Sequence, residues 1–188
     1  DAGSSFQGVD SVAVGNGAGQ TTQSTSAVAI GYQAGNNTQA AGAVAVGNNA
    51  GTTTQGYSAI AIGNQTGRTS QGEQAVAVGR FAGNNTQGAY SVAVGSYAGH
   101  TNQASDSVAI GYQAAHTTQG IYSVAVGRYA GTTSQGTNTV AVGQQAGNNT
   151  QGDYGVALGN NAGYNTQGTY SVAVGASAGN SAQGANSV

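Results

Sequence analysis

Eleven glycines stand sixteen residues apart without a slip: Gly15, Gly31, Gly47, Gly63, Gly79, Gly95, Gly111, Gly127, Gly143, Gly159 and Gly175. A fixed short period marks one structural unit copied along a chain. Each glycine closes a strand-like phrase such as Ser91-Val92-Ala93-Val94-Gly95. A chain built this way offers a long surface rather than one pocket.

The unit reads column by column. Three positions before each glycine stands Val or Ile, from Val12 to Val172. Ala follows at every copy, from Ala13 to Ala173, and then Val, Ile or Leu, from Val14 to Val174. Side chains alternate faces along a strand, so the two branched residues share one face. That face is expected to fill the core. The opposite face, as in Ser91, Ala93 and Gly95, is smooth and is expected to pack against another chain.

After the glycine come two variable residues and then Ala-Gly, as in Arg80-Phe81-Ala82-Gly83. The spacing predicts a tight turn with positive φ at one of the two glycines. A second extended segment follows, such as Asn84-Asn85-Thr86-Gln87, and its glutamine recurs at every copy. The column is Gln23, Gln39, Gln55, Gln71, Gln87, Gln103, Gln119, Gln135, Gln151, Gln167 and Gln183, with Gln7 in the same register.

Each copy is therefore strand, turn, strand, turn. One copy cannot bury its own aliphatic face, but stacked copies can. The expected fold is all-β: a parallel β-solenoid, or β-roll, of about eleven coils. Residues 1–188 form a single repeat array, read as a fragment or processed part of a longer chain. Stacking at ~4.8 Å per coil gives a rod of roughly 50 Å. Identical glutamines at that spacing predict an inward amide ladder. Two aliphatic side chains per coil make a thin core, which predicts self-association.

Composition narrows the function. The chain has 34 glycines and no proline, cysteine, methionine or tryptophan. Its charges are Arg68, Arg80, Arg128, Asp1, Asp10, Asp106, Asp153 and Glu73, a formal net charge of −2. Nucleic-acid binding needs clustered Lys and Arg, and there is no lysine. Disordered segments go with high net charge and few β-branched residues, whereas here those residues recur in phase. The lack of Cys excludes disulfide and thiol chemistry and fits an extracellular setting. No apolar run reaches the ~18 residues of a membrane helix, and the apolar phrases are shorter than the about 9–11 residues of membrane-barrel strands.

The phrases Ser-Val-Ala-Val-Gly-x-x-Ala and Ala-Val-Ala-Ile-Gly-x-x-Ala resemble the head repeats of trimeric autotransporter adhesins, the YadA-like head. The resemblance recurs at all eleven glycines. It implies a left-handed parallel β-roll, three intertwined chains, and a surface attaching to host or matrix molecules. Similar repeats occur in viral fibre-like proteins. The neck, coiled-coil stalk and membrane anchor usual in that family have no counterpart here, and the repeat is more uniform and less charged than a typical head.

No chemistry-bearing set stands out. His100 and His116 share a column on successive coils, about 5 Å apart. Two histidines fall short of the three or four ligands that zinc takes, and Asp106 lies elsewhere. Gly15-Asn16-Gly17-Ala18-Gly19 lacks the dinucleotide-binding spacing, and without Lys there is no Walker motif. Calcium-binding β-roll repeats need an Asp in each copy, which most copies lack. No nucleophile–base–acid set appears, so neither catalysis nor a cofactor or metal is expected.

The tyrosines Tyr32, Tyr57, Tyr90, Tyr97, Tyr112, Tyr122, Tyr129, Tyr154, Tyr164 and Tyr170 read equally as interface residues or as covers for a thin core. Asn36, Asn64, Asn84 and Asn148 each begin an Asn-x-Thr sequon.

The leading functional reading is a non-catalytic extracellular rod of an adhesin or fibre, on a cell or virion surface. Its partners would be copies of itself, as a homotrimer, and a host or matrix surface ligand. The alternative is a filament subunit stacking end to end through unpaired strand edges. A third reading is an ice-binding solenoid, suggested by Thr52-Thr53-Thr54 and Thr117-Thr118. Against it, Arg68, His100, His116 and Tyr164 interrupt the column that should stay flat.

Overall fold

The computed structural model describes residues 1–188. The chain winds into a parallel solenoid with two walls and no helix. One wall is an 11-stranded sheet of three-residue strands, from Val12–Val14 to Val172–Val174. The other is a 12-stranded sheet of two-residue strands, from Phe6–Gln7 to Ala182–Gln183. Register follows the sixteen-residue period. Val92 pairs with Val76 and Val108, and Gln87 pairs with Gln71 and Gln103.

Stacking extends beyond the strands. Of 131 backbone hydrogen bonds, 100 lie outside them, so the corners are laddered coil to coil as the walls are. Gly95 N donates to Val78 O at 2.8 Å, and Thr101 N to His116 O at 3.0 Å. Each coil turns through left-handed residues. Between Tyr90 and Gly99 these are Tyr90 (φ 58°), Gly95 (φ 124°), Tyr97 (φ 60°) and Gly99 (φ 52°). Both glycines of the turn thus have positive φ, where one was expected.

The walls face opposite to the sequence expectation. Ala93 and Ser91 are fully buried, as are Ala29, Ala45, Ala61 and Ala77. The branched residues point away from the coil: Val92 and Val94 are half-buried, and Ile30, Ile62 and Ile110 are about two-fifths exposed. The alternation of faces was right, but the smooth face is the interior and the aliphatic face is the exterior.

The reason is space. The interior holds alanine methyls and one glutamine per coil, and the largest fully buried side chains are those glutamines. A Cβ added to Gly99 would stand 2.5 Å from Gln103 Oε1 and 3.3 Å from the Ala93 Cβ. A lumen so filled has no room for Val or Ile. Alanine burial contributes little apolar area per residue, so the coil is held mainly by its laddered hydrogen bonds.

Candidate functional site

Each glutamine spans the lumen. Gln103 Nε2 donates to Val92 O on the facing wall at 2.8 Å and to Ser107 O at 3.4 Å. The same pair of acceptors recurs at Gln23, Gln39, Gln55, Gln71, Gln87, Gln119 and Gln167. The expected amide-to-amide ladder forms over part of the rod. Gln39 donates to Gln55 at 3.1 Å, Gln55 to Gln71 and Gln71 to Gln87 at 3.2 Å, and Gln135 to Gln151 at 3.3 Å. Wall-to-wall bonding to carbonyls is the more general role, and the sequence period alone did not reveal it.

The sixteen-spaced glycines form the sharpest contact of the stack. A Cβ on Gly95 would lie 2.7 Å from Gly111 O and 2.9 Å from its carbonyl carbon. Two substitutions interrupt the neighbouring columns. Ala115 takes a glycine position at φ 47°. Thr66 takes an alanine position and donates its hydroxyl to Gly79 O.

Three surfaces remain outside this scaffold. The first is the aliphatic wall, with two branched residues on each of eleven strands. The second is the long corner after each glycine. There Phe81 stacks on Tyr97, with centroids 4.9 Å apart, and His100 stacks on His116 at 4.9 Å and 4°. Tyr97 joins the two pairs, 5.4 Å from His100. The Arg80 guanidinium lies 4.6 Å over Phe81, and that of Arg128 lies 4.6 Å over Tyr129. Burial pushes both imidazoles below the usual histidine pKa, and at His100 the charge of His116 adds to it. No group of three or more His, Cys, Asp or Glu side chains is gathered to hold a metal.

The third surface is the short corner between the glutamine and the aliphatic strand. Tyr90, Tyr122, Tyr154 and Tyr170 line it, exposed, and Tyr154 stacks on Tyr170 at 4.7 Å. The tyrosines therefore sit at both corners rather than over the lumen. Of the sequon asparagines, Asn84 and Asn148 are buried, donating Nδ2 to Gln65 O and Tyr129 O of the preceding coil. Asn36 makes the same bond to Gly17 O, and Asn64 is exposed. A shallow concavity of about 300 Å³ is lined by Gln145, Asn161, Tyr164, Asn165 and Asn180. It offers amides and one phenol.

A parallel solenoid with a solvent-facing aliphatic wall and a glycine-to-glycine seam is the class of protein these features define. The family profile of the YadA head domain repeat (2 copies) matches residues 70–98, 103–130, 119–146 and 134–162. The matched coils are similar to YadA head repeats, and the coils on either side keep their register. That domain is a surface-exposed adhesin part rather than a catalytic one. No curated protein and no solved structure matches the chain.

Proposed function

We propose that the chain is the rod of a trimeric, non-catalytic adhesin on a bacterial outer surface, acting as a stiff spacer and a polyvalent attachment surface. The observation that carries this reading is the aliphatic wall. Two unbroken columns of Val, Ile and Leu run the length of the rod on its outside. A monomer rarely exposes contiguous apolar patches beyond a few hundred Å². Three such walls turned toward a common axis would give the aliphatic residues a shared core that a single coil has no room for. The family match supports the same assembly, because YadA-like heads form trimers and bind host surfaces.

Sedimentation equilibrium tests the assembly: a trimer is expected, and a monomer at micromolar concentration overturns it. Beads coated with the chain test attachment. Retention on an extracellular-matrix coat above that on a bare surface is expected, and equal retention overturns the role.

A second reading keeps one observation in its favour. The outward column of the two-residue strands, with Thr38, Thr54, Thr86 and Thr118, is uncharged, and Arg68, His100, His116 and Tyr164 stand beside it at the corner rather than on it. Measured thermal hysteresis would favour ice binding, and its absence removes that reading.

A further inference from the structure

His100 and His116 hold the same place on successive coils, each five residues after a repeat glycine, Gly95 and Gly111. Elsewhere this column belongs to the scaffold. Asn36, Thr52, Asn84, Thr132 and Asn148 each turn back and donate to a backbone carbonyl of the preceding coil. The two imidazoles make no such bond. Their ring nitrogens are left over from the hydrogen bonding that holds the coils together.

The pair is arranged alike on both coils. The rings are parallel within 4°, with centroids 4.9 Å apart. Nδ1 of His100 stands 3.2 Å from Thr101 Oγ1, and Nδ1 of His116 stands 3.4 Å from Thr117 Oγ1. Equivalent contacts on stacked rings put both Nε2 atoms on the same side of the stack. An Nδ1–H donated to a hydroxyl leaves the Nε2 lone pair available and fixes the ring, the outer support that ligating histidines generally have. Tyr97 flanks both rings, at 5.4 Å from His100 and 6.0 Å from His116. Burial holds both imidazoles toward the neutral form, which is the form that binds a metal ion.

Distance permits a shared ion. Two imidazole nitrogens bonded at ~2.0–2.1 Å to one ion stand no more than about 4 Å apart. Rings stacked at 4.9 Å need to close by only about 1 Å at their tips, a tilt that the broad terminal torsion of histidine allows. The backbones cannot drift apart, because Thr101 N donates to His116 O at 3.0 Å.

Ligand type selects the ion. Two protein ligands fall short of a resident zinc site, which takes three or four. Among divalent first-row ions, copper(II) is bound most strongly by a given nitrogen donor set, and its tetragonal sphere accepts two imidazoles with water in the other positions. The chain has no thiolate to compete, and Asp106, between the two histidines in sequence, lies at the opposite corner of the coil.

We propose that His100 and His116 form a bidentate copper(II)-binding site on the long corner of the rod, through their Nε2 atoms. Both ligands come from one chain, so the site is independent of the trimeric reading above.

These are the only two histidines in the chain, so an imidazole signal can come from nowhere else. The full, untagged chain is titrated with copper(II) chloride in a calorimeter, and the loaded sample is examined by electron paramagnetic resonance. One ion per chain is expected, with two imidazole nitrogens in the equatorial plane of the copper and no change of mass in solution. This spectrum needs no variant. His100→Asn and His116→Asn each install the residue that the column carries at Asn84 and Asn148, and circular dichroism verifies the fold. Each variant should weaken binding about tenfold or more and leave one imidazole on the copper. The absence of copper binding, a single-imidazole spectrum in the native chain, or undiminished affinity in a folded variant overturns the proposal. A rise in mass on loading also overturns it, because the two imidazoles would then come from different chains.

Discussion

Gly95 rests on the backbone of Gly111 so closely that a methyl group on the first would stand 2.7 Å from the carbonyl oxygen of the second. Backbone cannot yield there without shifting the coil, and Gly95 also sits at φ 124°. Gly95→Ala should therefore destabilise the rod by about 3 kcal/mol. Gly99 differs, because a methyl group there would meet the movable amide of Gln103. Ala115 already occupies the equivalent position one coil on. Gly99→Ala should cost only about 1 kcal/mol. Urea unfolding followed by circular dichroism checks the order, and equal losses would refute the glycine seam.

Gln71 donates to Ile60 O, Ala75 O and Gln87 Oε1 and accepts from Gln55. Gln119 donates only to Val108 O and Ser123 O. Replacing Gln71 by Met keeps an unbranched side chain and removes all four bonds, at a cost of about 2 kcal/mol. Gln119→Met should cost about 1 kcal/mol less, since no amide ladder is lost. The same unfolding measurement separates the two variants.

His100 and His116 stack with centroids 4.9 Å apart beside Tyr97, and both titrate below the usual histidine value of 6.5. Desolvation by burial is the main cause at each. A folded-state pKa below the unfolded one means that the unfolded chain binds more protons in that interval. Stability is then full above pH 6.5 and falls as pH drops through 6.5 toward the lowered folded values. Thermal melts between pH 7.5 and pH 5 should show this decline, and His116→Gln should flatten it. A melting temperature independent of pH across this range, at constant ionic strength, would contradict the paired-imidazole origin.

Val94 and Ile110 lie on the outer face of the aliphatic wall, away from the alanine lumen. Val94→Asp/Ile110→Asp should leave the coil intact while placing charge on the proposed shared core. The expected result is unchanged β-sheet circular dichroism with sedimentation as monomers. Loss of the circular dichroism signal would instead mean that these residues fill the coil itself.

Much of the architecture was legible in the chain. The register of Val76, Val92 and Val108 and the single column of Gln71, Gln87 and Gln103 follow from the period, because equal spacing puts equivalent residues on equivalent strands. The stacking distance of His100 and His116 follows from the same rule. The corner stack of Phe81, Tyr97 and the two histidines was not legible, because it joins three columns separated around the turn.

The period by itself determined the solenoid, its coil count, its in-phase columns and the two faces of each strand. Only the tertiary structure decided which face is inside. Alternation distinguishes Val92 from Ala93 but says nothing of the distance between the walls. That distance admits an alanine methyl and a spanning glutamine, and it sends the branched side chains outward, where a neighbouring chain can cover them.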